Sequence, residues 1–341
     1  MLHRRRRPRH RRRTRRRVQE EVPHLQRPQG QPAGGVRPAH SRSIGVTGAG
    51  SPHLVDARTA CARRARTVFV EVAPWRVMAQ GPDPIRGSVP GAIRTSVRSD
   101  FAGRPTATSG HLPLPERTAV RAALRAHGVG PGDDLVLYTR RVEELSSAAR
   151  AWFVLTWAGF RSVAVLDGGL PAWVREDGPT TLATPAPPGH PAPPLSYDDE
   201  GAGGRRVLAR ADVPEIAALG TLLDSRPAAA YNGTPDDPRS GHVPHAVHAH
   251  SAELMTPDGL LRPPVELRKW FLARRAVGGH EVGAYCGGGV SSALLVLAGA
   301  LIGQQVGLYV DSWSAWSRDP SLPVERGTAP TRSAAVDTDC A

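Results

Sequence analysis

Short apolar runs alternate along the chain with segments in which apolar residues recur at helical spacing. The predicted strands are 67–72, 135–138 and 163–166, a strand ending at 222–224, and then 282–285 and 307–310. The predicted helices are 115–127, 146–158, 263–275 and 291–302. Strands that alternate with helices in this way indicate β-α-β units, so we expect an α/β fold in which helices flank mostly parallel sheets.

Three sequence markers occur twice in the same order. G-S-V-P-G-A at residues 87–92 returns as G-H-V-P-H-A at 241–246, L-V-L-Y-T at 135–139 as V-G-A-Y-C at 282–286, and D-G-G-L-P-A-W at 167–173 as D-S-W-S-A-W at 311–316. An ordered internal repeat of this kind indicates that one structural unit is duplicated. We therefore expect two tandem α/β domains.

The domain boundaries are predicted from composition. Prolines crowd the segment between the repeats, which is typical of a stiff linker, and the Arg-rich residues before the first repeat are expected to be disordered. The predicted parts are an N-terminal extension at 1–65, domain 1 at 66–179, a linker at 180–204, domain 2 at 205–327 and a C-terminal tail at 328–341.

The formal net charge of +13 is concentrated at the N-terminus, where residues 1–17 contain eleven Arg and no acidic residue. Because the rest of the chain is nearly neutral, we expect no specific nucleic-acid partner; polyanion binding through the Arg-rich segment stays an alternative. The longest apolar run, 293–302, is too short to cross a bilayer. No apolar segment follows the arginines as it would in a secretory signal, so we expect a cytoplasmic protein without a membrane partner.

Of the three cysteines, only Cys286 lies in a context typical of chemistry; Cys61 and Cys340 are interpreted as incidental thiols. C-x-x-C pairs and zinc-ligand spacings are both absent, which disfavours a disulfide framework or a zinc site. Cys286 ends a predicted strand, and a helix begins shortly after it. The residues that follow it are Gly287, Gly288, Gly289, Val290 and Ser291. Parallel α/β folds place their ligand sites at such strand-to-helix edges.

The glycine-rich loop after Cys286 can direct backbone N–H groups at the sulfur, and the following helix adds a positive dipole. Such a cradle favours a thiolate or a persulfide anion. From this pattern alone, a small buried hydrophobic residue is the alternative. A nucleotide P-loop is excluded because G-x-x-x-x-G-K-[ST] is absent, and a thiolate phosphatase is disfavoured because Ser292 stands where its Arg is needed.

Taken together, the two repeats, the C-G-G-G-V-S loop, the G-[HS]-V-P-x-A turns and the tryptophan-containing segments resemble the tandem rhodanese family over residues 66–326. That family contains thiosulfate and 3-mercaptopyruvate sulfurtransferases. The resemblance implies that Cys286 takes sulfane sulfur from an anionic donor and passes it, as a persulfide, to cyanide or a thiol, including a thioredoxin-like acceptor. It implies no metal or organic cofactor. Domain 1 has Thr139 at the position of Cys286, so it is expected to be catalytically silent.

The resemblance also implies the substrate-binding residues. Residues 287–291 would supply the N–H groups, and Arg239 a positive charge for the donor. Family members usually carry an Arg where this chain has Ala230. The mercaptopyruvate enzymes carry a Ser and a His, proposed as a proton relay, where it has Gly288 and Ser88. These departures leave a degenerate rhodanese-like binding or regulatory protein as the alternative function.

The remaining candidates are interpreted as structural. Arg226 is open between a buried ion pair, with Asp224 or another acid, and donor binding, and we favour the ion pair. His242 is expected to brace its loop. Surface or packing positions are expected for His245, His248 and His250. Packing in the core between the domains is expected for Trp173, Trp313 and Trp316.

Overall fold

The computed structural model describes residues 52–76, 85–183, 197 and 205–327. Outside the described residues lie most of the expected N-terminal extension, most of the Pro-rich linker, the C-terminal tail and Cys340. Within the described ranges, no helix is both long enough and apolar enough to cross a bilayer.

Domain 1 is built on one parallel sheet. Its strands are β1 (Leu54–Val55), β2 (Thr67–Ala73), β3 (Ile93–Ser96), β4 (Asp134–Tyr138) and β5 (Ser162–Leu166). They lie in the order β1-β5-β4-β2-β3, and every neighbouring pair is parallel. Its helices are α1 (Ala57–Arg63), α2 (Arg117–Ala126), α3 (Leu145–Trp157) and α4 (Gly169–Arg175).

Domain 2 repeats this plan on a smaller parallel sheet. Its strands are β6 (Thr221–Asp224), β7 (Val247–His248), β8 (Val282–Tyr285) and β9 (Gly307–Leu308), in the order β7-β6-β8-β9. Its helices are α5 (Asp212–Leu219), α6 (Ala228–Asn232), α7 (Pro264–Ala273), α8 (Ser291–Leu301) and α9 (Ser312–Trp316). Short 3-10 turns precede α3 at Val142–Glu144 and α7 at Ser251–Leu254. The predicted α/β fold with two domains is confirmed.

The duplicated sequence markers form duplicated contacts. The hydroxyl of Tyr138 accepts a hydrogen bond from the Val89 amide at 3.2 Å, and the hydroxyl of Tyr285 accepts one from the Val243 amide at 3.0 Å. Likewise, the indole N–H of Trp173 donates to a proline carbonyl six residues later, and that of Trp316 to one seven residues later. Each repeated tyrosine therefore holds the G-x-V-P turn of its own domain, and each repeated tryptophan holds the segment that follows its own helix.

The core between the domains consists of α3 packed against α8. A helix that is apolar on all sides is stable only when protein surrounds it. In α3, residues Ala148 to Leu155 are all buried, and in α8 so are Ser292 to Gly299. One hydrophobic cluster runs through both helices and through one face of each sheet. The two domains thus share a core.

The repeated tryptophans lie elsewhere. Successive residues of a strand face opposite sides of the sheet, so Val70 faces the shared core and Phe69 the other side. Trp173 packs with Phe69 in that second cluster of domain 1, and Trp316 lies in the corresponding cluster of domain 2. The expectation that they pack between the domains was wrong, because they sit on α4 and α9 on the outer faces of the two sheets.

The boundary expected at residue 66 also needs correction, since domain 1 begins earlier. Strand β1 pairs in parallel with β5, and α1 packs against α4. Asp56 caps α1, its carboxylate accepting a hydrogen bond from the Thr59 amide at 2.7 Å. The arginines of this segment suggested disorder, but they are on the exposed side of α1, whereas Ala57 and Ala60 are buried.

We predict that Ala60→Asp lowers the free energy of unfolding by about 3 kcal/mol, because it places a carboxylate without a partner between α1 and α4. Ala60 is 1% exposed. The matched control is Arg63→Asp on the exposed side of the same helix, which should change the free energy by less than about 0.5 kcal/mol. Chemical denaturation measures both, and equal stability of the two variants would contradict the assignment of α1 to domain 1.

Candidate active site

Cys286 directly follows β8, and its loop leads into α8, which begins at Ser291. The residue is only 2% exposed. This position at the carboxyl edge of a parallel sheet, before a helix N-terminus, is the one expected from the sequence. Residues 287–291 therefore connect the cysteine to the start of α8 at this edge.

The Gly289 amide donates a hydrogen bond to Cys286 Sγ at 3.0 Å. Gly289 has φ of +77°, in the left-handed region, and a Cβ there would lie 2.6 Å from the Val310 carbonyl oxygen. No other residue type fits both conditions without strain. Glycine at this position is what allows its amide to reach the sulfur.

The thiol pKa reflects two opposed effects. Burial of Cys286 acts to raise the pKa, but the hydroxyls of Ser291 and Ser292 and the amides of Ser292 and Gly288 outweigh it, so the pKa lies below its usual value. Hydrogen bonds to the anion favour the thiolate. By contrast, burial raises the pKa of the Cys61 thiol, with the charge of Glu176 acting in the same direction.

The start of α9 braces the loop, a contact that the sequence analysis did not anticipate. The hydroxyl of Ser312 accepts a hydrogen bond from the Cys286 amide at 3.2 Å. The amides of Trp313 and Ser314 donate to the carbonyl oxygens of Cys286 at 2.9 Å and Gly287 at 3.0 Å. The D-S-W-S-A-W segment at 311–316, the last of the three repeated markers, thus holds the loop that follows Cys286.

A cavity of about 660 Å³ opens over Cys286, and both domains line it. From the loop, Gly287, Gly288, Val290 and Ser291 line it together with Cys286. Domain 1 contributes, among others, Trp75, Arg76, Val142, Glu143, Glu144 and Leu145. Domain 2 contributes Arg226, Ala230, His250, Met255 and Leu294. Its volume is within the range of small-molecule sites.

Arg239, expected to bind the donor, is not among the described residues that line this cavity. Its guanidinium donates instead to four backbone carbonyl oxygens, those of Trp316, Ser317, Asp319 and Leu322. We therefore correct its role: all of these contacts fasten the segment after α9, and the side chain is directed to that segment.

Arg226 forms the ion pair with Asp224 that we favoured. Its Nε lies 2.9 Å from Asp224 Oδ1, and its Nη2 donates to the Gly241 carbonyl at 2.6 Å. The guanidinium also stacks on Trp313, 4.5 Å from the ring centroid. Because Arg226 lines the cavity as well, it contributes positive charge to a wall that it helps to build.

The histidines divide between structure and cavity. His242 is fully buried and stacks on Tyr231 with ring centroids 3.8 Å apart, and its Nδ1 lies 2.8 Å from the Tyr231 carbonyl oxygen. This is the bracing role expected for it. His250, in contrast, lines the cavity, and burial, followed by the nearby His248, lowers its pKa. In the described part of the chain, no group of three metal-ligating side chains occurs.

Two arginines of domain 1 that lie at the site were not predicted from the sequence. Arg76 lines the cavity beside Trp75, with its guanidinium 4.7 Å from the ring centroid. Arg150 is fully buried in α3 and reaches the carbonyl oxygen of Gly289 at 3.3 Å. Arg150 had a readable signal, since it is the single charged residue of α3. Arg76 had none.

The sequence matches the rhodanese-like domain family over residues 47–176 and 207–319. This chain belongs to the rhodanese family. It is 36% identical over 253 residues to SseB of Mycobacterium tuberculosis, which is named as a thiosulfate sulfurtransferase, covering 72% of this chain and 85% of the relative. It is 31% identical to the 3-mercaptopyruvate sulfurtransferase of Escherichia coli, covering 71% and 84% of the two chains.

The crystal structure of Escherichia coli SseA, a 3-mercaptopyruvate sulfurtransferase, superposes on this rhodanese with a TM-score of 0.61 at 27% identity. The match covers 76% of this chain and 98% of SseA. This rhodanese is therefore a sulfurtransferase, as the sequence predicted.

We predict that Gly289→Ala slows alkylation of Cys286 by iodoacetamide at least about tenfold, because the added Cβ strains a left-handed residue and displaces the amide from the sulfur. The matched control is Gly287→Ala, in which the new Cβ meets nothing within 4 Å. Mass spectrometry of the Cys286 peptide gives both rates. Equal rates in the two variants would contradict the importance of the Gly289 contact.

Proposed function

We propose that this rhodanese carries sulfane sulfur on Cys286 as a persulfide, taking it from an anionic donor and passing it to a thiophilic acceptor. The observation that supports the proposal is the Gly289 amide, which donates to Cys286 Sγ at 3.0 Å in a cavity open to small molecules. The thiolate is the nucleophile in sulfur exchange, and this contact stabilises it.

In the first half-reaction, the Cys286 thiolate attacks the outer sulfur of the donor. With thiosulfate, the S–S bond breaks, sulfite leaves with the bonding electrons, and the enzyme keeps one sulfur as a persulfide anion. With 3-mercaptopyruvate, the C–S bond breaks and the thiol proton moves to the carbon, so that pyruvate leaves. Both reactions balance without an external oxidant or reductant, so no cofactor has to take part.

Donor binding relies on the charges that line the cavity. Arg76 of domain 1 and Arg226 of domain 2 both line the cavity, Arg226 within its ion pair with Asp224, and their guanidinium groups are the candidates to contact the donor. The position of the family's usual donor-binding Arg is Ala230, which lies on this cavity wall. Ser88 and Gly288 stand where the mercaptopyruvate enzymes have their proton relay, so water carries the thiol proton of the donor to the enolate carbon of the leaving pyruvate. The two relatives are named for different donors, so thiosulfate and 3-mercaptopyruvate are both candidates.

In the second half-reaction, the acceptor attacks the outer sulfur of the persulfide and restores the Cys286 thiolate. Cyanide leaves as thiocyanate, and a thiol leaves as a persulfide. The cavity also admits acceptors larger than cyanide, including small organic thiols. A thioredoxin-like protein is the proposed protein acceptor.

We predict that incubation with thiosulfate or 3-mercaptopyruvate adds one sulfur atom to the wild-type protein and that cyanide removes it. Intact-protein mass spectrometry measures the gain with each donor. Cys286→Ser should gain no sulfur, whereas the matched control Cys61→Ser should behave as the wild type. Full transfer by Cys286→Ser would overturn the proposal, and no gain with either donor would favour the degenerate binding protein.

We predict that Ala230→Arg lowers the KM for the anionic donor about tenfold, equivalent to about 1.4 kcal/mol, because it adds a charge-assisted hydrogen bond inside the cavity. The matched control is Ala229→Arg, on the same helix at an exposed position that is not among the described lining residues. Steady-state kinetics with each donor gives the two values. Equal KM values for both variants would show that the donor binds away from position 230.

A further inference from the structure

Arg150 is a buried cation in an otherwise apolar contact. It is 0% exposed, and burial lowers its pKa to about 10, so it stays protonated at neutral pH. All its hydrogen-bond acceptors among the described residues are backbone carbonyl oxygens, those of Phe101, Leu112, Pro113 and Gly289. No carboxylate in the described ranges forms a salt bridge with it. Removing a guanidinium from water in this way is costly.

The cost points to a function, because the packing of α3 against α8 does not by itself require a charged side chain. The negative groups that favour the charged form of Arg150 are the Cys286 thiolate and Asp311. Three of the four carbonyl acceptors belong to domain 1, and the fourth belongs to the loop that holds the cysteine. The guanidinium therefore joins the silent domain to the reactive one.

One residue connects Arg150 to the sulfur. The Nη1 atom of Arg150 donates to the Gly289 carbonyl at 3.3 Å, and the Gly289 amide donates to Cys286 Sγ at 3.0 Å. The guanidinium thus fixes the one loop residue whose conformation requires glycine. It also places a positive charge next to the peptide unit that faces the sulfur.

We propose that Arg150 is a positioning residue for sulfur transfer: from domain 1, it holds Gly289 in place and supplies positive charge that stabilises the anionic sulfur of Cys286. This extends the role of domain 1 from closing the cavity to completing the site. The inference rests on the proposed function only in taking Cys286 as the nucleophile. Its test reads the thiolate directly and needs no sulfur donor.

Other charged groups lie near the site and stay unchanged in the test. Those lining the cavity are Arg76, Glu143, Glu144, Arg226 and His250, and Asp311 precedes α9. Comparing variants that differ only at Arg150 therefore isolates its contribution from theirs.

The experiment measures the rate of Cys286 alkylation by iodoacetamide as a function of pH in the full-length protein. In Arg150→Met, the midpoint should move up by about one pH unit, which makes alkylation near neutral pH about tenfold slower. Arg150→Lys keeps the charge and should restore most of the rate. The matched control is Arg121→Met, which removes another domain 1 guanidinium that donates to a carbonyl, that of Ala158; its midpoint should not move.

Circular dichroism first establishes that each variant is folded. An unchanged alkylation midpoint in folded Arg150→Met overturns the proposal. Unfolding of both Arg150 variants, while Arg121→Met folds, also overturns it, because the arginine would then serve assembly of the domain contact. A shifted midpoint together with failure of the protein to accept sulfur from any donor would support Arg150 and reject the proposed function.

Discussion

An anionic sulfur inside a protein is stable only where fixed N–H groups and positive charge replace the water it has lost. In this rhodanese, the Gly289 amide contacts Cys286 Sγ, and the sulfur lies at the end of a parallel strand and before a helix N-terminus. The conformation of Gly289, the braces from Ser312 and Trp313, and the buried Arg150 all keep this arrangement in place. All of these contacts therefore support the loop that follows Cys286.

In each domain, an arginine pairs with an acidic residue of a sheet strand, but the two arginines occupy different positions in the repeat. In domain 2, Arg226 binds the carboxylate of Asp224, at the end of β6, and the carbonyl of Gly241. In domain 1, Arg140 binds Glu71, on the corresponding strand β2, and the carbonyl of Gly87. The arginine comes from a different point of the chain in each copy, yet it joins the same two elements. A contact that recurs in domain 1, which has Thr139 at the position of Cys286, belongs to the fold, and this explains why Arg226 is paired.

Much of this architecture was predictable because it depends on local patterns. The strand β8 and the start of α8 at Ser291 agree with the sequence, as does the α/β plan of each repeat. The same patterns placed Cys286 at the sheet edge. Apolar periodicity and glycine-rich turns predict a strand, a helix or a turn from the few residues that form it.

The errors arose where distant segments decide the outcome. Arg239 binds carbonyl groups of residues 316–322, a segment whose path depends on the folded domain. The residues that form β1 and α1 were assigned to the extension because arginines recur at 58, 63, 64 and 66, although Ala57 and Ala60 are buried. Arg76, from domain 1, lines a cavity whose cysteine belongs to domain 2. Local sequence patterns do not predict contacts between residues that lie far apart in the chain.

The shared core of α3 and α8 has a consequence for how such a protein can evolve. After a duplication, the copy without a nucleophile would ordinarily be free to drift or to be lost. Here that copy provides a cavity wall and a guanidinium that binds the reactive loop of its sister. Exchanging either half alone would therefore separate Cys286 from the cavity wall and the loop contact that the other half provides.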